Sequence, residues 1–381
     1  MMTRVFLVGV FGLILVEIAN VYFIMPLPGS QRMQSIDAAY AVYEWRWILR
    51  AAFGALVLVG ALSAWRTPGW RKWLVPASLA VVAAVGCAVN FRMSADQQFL
   101  QPSVLIMQPA ERNAVPGDRL VVGIAQNGEA RAYPLRFIGY HHQVRDSVGG
   151  QPVMVSYCTV CRTGRIFSPV VEGRVETFRL IGMDHWNAMF EDRTTKSWWR
   201  QANGEAIVGS RKGATLRDIP SLQTTLKQWL ALHPRSLIMQ GDPEFAEEYA
   251  KDYAFERGTS RKKLTGTDTL SWQDKSWVVG LTVNQRSKAY DWNRLRRERI
   301  VNDEVGEIPI LLVLAADNAS FFAFERPDAQ TRFSLRGDSL ISPGGAYALG
   351  GRGASGALKP LSASQEFWHS WRTFQPLTER Y

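Results

Sequence analysis

In the stretch VMVSYCTVCRTGRIF, Val153 to Phe167, Cys158 and Cys161 stand three apart at the end of a strand-like run. Two thiols at this spacing can form a redox couple, half of a metal site, or a disulfide staple. Cys-x-x-Cys-x-x-Gly is similar to half of a zinc knuckle, but the chain has no second Cys-x-x-Cys to complete one. Histidine is the substitute donor. His141 and His142 precede Cys158 by a turn and one strand, so an antiparallel return brings them toward it. His185 follows in Gly182-Met-Asp-His-Trp-Asn-Ala-Met189, among methionines. Thiolate, imidazole and thioether are soft or borderline ligands, so the metal expected here is copper or zinc, not magnesium or calcium. Thiol–disulfide chemistry instead needs a lowered thiol pKa, commonly supplied by a helix N-terminus. Arg162-Thr-Gly-Arg165 reads as a turn into another strand, which leaves the charges of Arg162 and Arg165 to stabilise a thiolate. Trp198 and Trp199, after the turn Phe190 to Ser197, offer aromatic surface for a ligand groove or for packing.

The elements that position these residues occur twice. Val121 to Phe167 aligns without a gap with Val278 to Phe324, matching Gly123 with Gly280, Ala132-Tyr133 with Ala289-Tyr290, Asp146 with Asp303 and Gly149 with Gly306. Each copy reads as a strand, a polar turn, a short element from the Ala-Tyr pair, a Val-Gly turn and another strand. The tails Leu216 to Pro234 and Leu358 to Pro376 echo each other, each ending in an amphipathic helix with a Trp. At the aligned positions Cys158 becomes Ala315, Cys161 becomes Asn318 and His141 becomes Glu298. If the cysteines only stapled the fold, the second copy does without the staple, so any chemistry belongs to the first. The expected architecture is a β-rich α+β extracytoplasmic domain of two tandem repeats, residues 93–270 and 271–381, behind a three-helix transmembrane region, 1–92.

That region rests on three apolar runs, Val5 to Ile24, Ala51 to Trp65 and Trp73 to Phe91. Arg4 before the first run and Arg66, Arg71 and Lys72 between the second and third place both segments in the cytoplasm. The remainder then lies in the periplasm of a bacterial inner membrane, where cysteine pairs tend to be oxidised. Cys87, inside the third run, reads as a small apolar packer. Glu17 sits in the first run with no basic partner inside the apolar runs, so it either holds helices together or meets a partner subunit. The net charge is +10 over 381 residues, but Lys and Arg are scattered and no nucleic-acid module accompanies them, so nucleic acid is not an expected partner. Expected partners are membrane lipid and an integral-membrane or periplasmic protein. The Gly-rich Pro343 to Gly356 lacks the ending of a phosphate loop.

Ala132-Tyr-Pro-Leu135, His141 with Asp146-Ser-Val-Gly-Gly150, Tyr157-Cys-Thr-Val-Cys-Arg-Thr-Gly164, Asp192 to Gln201, Gly209 to Pro220 and Phe367-Trp-His-Ser-Trp371 together resemble the bacterial domain-of-unknown-function 3179 family, over most of Gln108 to Tyr381. The resemblance implies that His141, Asp146, Cys158 and Cys161 are matched site positions, with Tyr157 and Arg162 beside them. It also implies that the second cysteine varies, which favours Cys158 as a ligand or single nucleophile. The chain departs from the pattern at Thr159, Val160 and His185. The resemblance implies a fold and site positions but no activity. The functional expectation is a membrane-anchored periplasmic protein binding copper or zinc through Cys158, Cys161 and His141 or His142, for metal handling or electron transfer. The alternatives are a thiol–disulfide oxidoreductase and a non-catalytic scaffold with a structural disulfide.

Overall fold

The computed structural model describes residues 2–66, 69–250, 254–354 and 356–381. They divide into two compact units. The first holds the chain up to Leu100 with Thr177–Arg200 and Glu205–Ala214. Its helices α1 (Met2–Tyr22), α2 (Ile36–Trp65) and α3 (Leu74–Cys87, continued by a π-helical turn to Arg92) are long and apolar enough to cross a membrane. Helix α2 starts well before the apolar run Ala51 to Trp65, because Arg46 and Arg50 break the hydropathy without breaking the helix. Arg50 meets Glu17 through two hydrogen bonds of 2.6 and 2.7 Å, and Asn90 bonds both, at 3.0 and 2.9 Å. Glu17 therefore has a basic partner after all, one that lies just outside the apolar run. Cys87 is exposed on α3 and is not packed as expected.

The rest of this unit is an antiparallel sheet of Phe178–Asp184, Asn187–Asp192, Trp198–Arg200 and Ala206–Val208. Ile181, Met189, Trp198 and Ile207 bury one face against Ile24, Ala39 and Tyr43. The segment 93–270, expected as the first repeat, is thus not one compact piece: its middle packs with the N-terminal helices.

After a short edge strand, Met107–Gln108, the second unit runs through β1 (Leu120–Gln126), β2 (Glu129–Pro134), α4 (Leu135–His141), β3 (Gln143–Val148), β4 (Gln151–Cys158) and β5 (Thr163–Phe167). After the excursion into the first unit come β6 (Leu222–Thr225), α5 (Leu226–Leu232) and β7 (Leu237–Met239). The same order follows in β8 (Trp277–Val283), β9 (Arg286–Asp291), α6 (Trp292–Glu298), β10 (Ile300–Val305), β11 (Ile308–Leu314) and β12 (Phe321–Glu325), then β13 (Ala363–Phe367), α7 (Trp368–Phe374) and β14 (Glu379–Arg380). Strand pairing matches too: β6 runs antiparallel to β1 and β7 parallel to β2, as β13 does to β8 and β14 to β9. A small meander, Ser334 to Ala357, decorates the second half.

Contacts between the halves are reciprocal. The Phe367 N–H at the end of β13 donates to the Cys161 carbonyl at 2.9 Å, while the Thr225 N–H at the end of β6 donates to Ser320 Oγ at 2.9 Å. Between these joints Gln223 donates to Gln365 at 3.2 Å, a contact between positions that correspond in the aligned tails. Each half carries its own apolar core, around Val121, Tyr133, Val155 and Trp229 in the first and Val279, Tyr290, Leu312 and Phe321 in the second.

Candidate functional site: a buried thiol pair

Strands β4 and β5 form a hairpin whose last paired residues are Cys158 and Thr163. The chain turns through Thr159 to Arg162, and Arg162 takes a left-handed φ of 57° to bring Cys161 back beside Cys158. Both cysteines are thiols with 0% exposure. The Cys161 sulfur hydrogen-bonds to Cys158 and to Ser370 of α7. Ser370 Oγ in turn donates to the Glu366 carboxylate at 2.9 Å, which also accepts from Arg165 at 2.9 Å and Ser364 Oγ at 3.0 Å. Behind the hairpin the Gln201 amide donates to Ser156 Oγ and the Thr163 carbonyl, at 3.2 and 3.0 Å.

Electrostatics here oppose a thiolate. Burial pushes the Cys161 thiol well above its ordinary range, and the bond with Cys158 adds to this. Lys275, near enough for its charge to act on both sulfurs, is itself lowered by burial, and the thiols partly offset that shift. Its ammonium donates to the Leu264 carbonyl. His369 Nε2 donates to the Val160 carbonyl at 3.2 Å, and burial pushes its pKa down to about 4, so the ring is neutral at pH 7.

The histidines named from sequence do not join the thiols. The antiparallel return does bring the His142 backbone alongside, since the Tyr157 N–H donates to the His142 carbonyl at 3.0 Å. The His142 ring, however, bonds through Nδ1 to the Tyr140 carbonyl at 3.0 Å, and burial lowers its pKa to about 4. His141 Nε2 meets the Tyr249 hydroxyl at 2.6 Å, within a cage of Tyr140, Phe245 and Tyr249. His185 belongs to the other unit, where Nδ1 lies 2.6 Å from Asp184. Among the described residues, no three His, Cys, Asp or Glu side chains are grouped to hold a metal ion. Among these residues the side chains for a tetrahedral zinc site are therefore not grouped together.

The supporting residues divide in the same way. Asp146 accepts from the Tyr133 hydroxyl and from Arg131, both at 2.6 Å, and Asp303 repeats the bond with Tyr290 at 2.9 Å, so this contact serves the scaffold. Trp198 and Trp199 are 0% and 1% exposed, and their indole N–H groups donate to Glu191 and Asp192; they are core, with no groove along them. Tyr157 is fully buried, and its hydroxyl has no hydrogen-bond partner among the described residues. Arg162 turns away from the sulfurs, donating to Gln365 Oε1 and to the carbonyls of Phe255 and Glu256 at 2.8 to 3.0 Å, with its guanidinium stacked 3.6 Å from the Trp277 ring.

Sequence reasoning missed Ser370, Glu366, Lys275 and His369, which come from the other half, the first, second and last of them some two hundred residues away. For His369 and Ser370 the signal was Phe367-Trp-His-Ser-Trp371, a motif at the tail end whose contacts only the reciprocal packing reveals; Glu366 and Lys275 lie outside it. Neither a curated protein nor a solved structure matches the chain. The family model described as "Protein of unknown function (DUF3179)" matches residues 102–378, the span holding both thiols and the residues that surround them, and the chain belongs to that family.

Proposed function

We propose that this is a membrane-anchored extracytoplasmic protein whose centre is a dithiol–disulfide pair, Cys158 and Cys161. The observation that carries the reading is the hydrogen bond between the two thiols across a four-residue turn, with no third His, Cys, Asp or Glu grouped with them among the described residues. In the exchange a partner disulfide is reduced to two thiols, while Cys158 and Cys161 lose their two hydrogens and join as a disulfide. Strongly oxidising pairs owe their potential to a stabilised thiolate; burial works against that here, so the pair acts as a reductant of its partner. Full burial requires the α7 contact at Ser370 to open before a partner disulfide can reach either sulfur.

The membrane reading rests on the three apolar helices, with Arg4 and the Arg66 to Lys72 connection on the cytoplasmic side of a bacterial inner membrane. The two halves of the second unit are read as copies of one ancestral segment, the first keeping the thiols. A metal reading survives in one form. Cu(I) takes two thiolates alone, and Lys275 would offset the negative charge of that complex.

One experiment separates the two. The detergent-extracted protein is purified anaerobically without affinity metal, its metal content is measured, and it is then equilibrated across a graded thiol redox buffer. The redox reading expects metal-free protein and a single two-electron transition nearer about −270 mV than about −120 mV. Stoichiometric copper lost in Cys158→Ser would replace it with the Cu(I) reading. A pair that stays reduced across the series would end the redox reading.

A further inference from the structure

Next to the thiol turn, on the far side of Arg162, the second unit forms a solvent-open cavity of about 420 Å³, within the range of small-molecule sites. Both halves build it. The first supplies Arg162, and the second supplies Ala319, the residue aligned with Arg162, whose small side chain leaves the space open. Trp277 and Trp292 form an aromatic wall, their ring centroids 5.7 Å apart.

The charges lining this cavity do not balance. Each of its carboxylates is engaged: Asp118 with Arg257, Glu256 with Arg119, and Asp317 with the hydroxyls of Thr225 and Ser320. Arg162 is 0% exposed, yet among the described residues its guanidinium donates only to an amide and two carbonyls; the carboxylate whose charge acts on it, Glu256, is bonded to Arg119 instead. A buried charge held by neutral acceptors keeps a large part of its desolvation cost until an anion arrives. Lys227 and Arg296 also line the cavity, both exposed, and no hydrogen bond or ion pair engages the side chain of either among the described residues.

We infer that this cavity binds a small organic carboxylate with a flat apolar body, the carboxylate directed to the arginines and the flat part laid on Trp277 and Trp292. A guanidinium matches a carboxylate in geometry, and indole faces accept planar apolar groups. The site uses neither sulfur, so the inference stands apart from the thiol reading.

The test is calorimetric titration of the full chain in nonionic detergent at low salt with 2-naphthoate, 2-naphthalenemethanol and inorganic phosphate as probes. Saturable naphthoate binding is expected, with the neutral alcohol and phosphate each at least about tenfold weaker. Arg296→Glu, an exposed position outside the core, is expected to weaken naphthoate about tenfold, and Arg162→Lys, which keeps the charge but loses the planar fork, to weaken it further. Partition into micelles is common to wild type and variants and cancels in the comparison. The inference is overturned if no saturable heat appears up to about 1 mM, if the alcohol or phosphate binds as well, or if Arg296→Glu binds like the wild type.

Discussion

Cys158 and Ala315 hold corresponding places in the two halves of the second unit, and so do the turns that follow them. Each turn is clasped by the strand and helix of the opposite half: Cys161 by Phe367 and Ser370, and Asp317 and Ser320 by Thr225. In the second half oxygen does the joining, through a carboxylate and two hydroxyls, whereas the first half places thiols in the same joint. A joint that closes on ordinary hydrogen bonds does not need sulfur to hold it. The difference separates scaffold, present in both halves, from the thiol pair, present in one.

The sharpest way to break that comparison is to attack what the halves share. Trp229 and Trp371 each lie over a glycine of the adjoining strand: a Cβ at Gly123 or Gly280 would come within 2.3 or 2.2 Å of the indole. Each indole N–H also donates to a hydroxyl seven residues on, Ser236 or Thr378, at 2.7 and 2.8 Å. Trp229→Ala and Trp371→Ala are each expected to cost about 3–5 kcal/mol. Thermal unfolding of the two variants checks this; a large loss in one and none in the other would mean that the matching topology hides unequal cores.

A second effect should belong to the thiol-bearing joint. His142 and His369 are neutral in the folded protein, burial having lowered both to about 4, against about 6.5 in the unfolded chain. The residues at the corresponding positions, Arg299 and Lys227, are not histidines. Below pH 6.5 the unfolded chain takes up protons that the folded rings refuse. Stability is therefore full above that pH and falls as pH drops toward 4, by about 3 kcal/mol for a single histidine. Melting curves between pH 7.5 and 4.5 should show this slope, and His369→Gln should flatten it. An unchanged slope would assign the acid sensitivity elsewhere.

Tyr133 and Tyr290 give a smaller effect, expected to be equal in the two halves. Removing either hydroxyl with Phe leaves Asp146 or Asp303 one donor short, though Arg131 and Lys288 remain in ion-pair contact. A loss of about 1–2 kcal/mol is expected for each variant, read from urea midpoints. A loss in Tyr133→Phe alone would make Asp146 more than scaffold.

How much of this was legible in sequence follows from the distance over which each feature is encoded. The doubled element order was readable because β1 to β5 and β8 to β12 are local patterns with matching Val, Gly, Asp and Tyr positions. The thiol pair was readable for the same reason. Its surroundings were not: Ser370 and Lys275 reach the sulfurs only through the packing of one half on the other, and no local pattern records that. The histidines misled because strand register places the His142 backbone beside Tyr157, while the left-handed turn at His142 sends its ring to Tyr140. Trp198 and Trp199 resembled groove residues because the covering face, Tyr40 and Tyr43 over Trp198 and Phe178 over Trp199, comes partly from α2, far away in sequence. The early part of α2 was missed because Arg50 lowers hydropathy on its own, and its neutralisation by Glu17 is a tertiary fact.

The smallest predicted effect sharpens the comparison most, because one substitution should change sign between the halves. His142 and Arg299 both end their helices with a left-handed φ, 60° and 65°, and both offer a carbonyl to the second strand after the helix, to Tyr157 N–H and Leu314 N–H. Glycine removes the strain of that conformation in either place, while adding freedom to the unfolded chain. At Arg299 little else is lost beyond the hydrogen bond to Asn318, so Arg299→Gly should leave stability unchanged or raise it by up to about 1 kcal/mol. At His142 the same change empties a fully buried imidazole and the cavity cost outweighs the relief, so His142→Gly should destabilise. His142→Asn, which tolerates the left-handed region, should fall between the two. If both glycine variants shifted the melting temperature in the same direction, His142 would be only a helix terminator like Arg299, and the specialisation of the first half would be confined to its sulfurs.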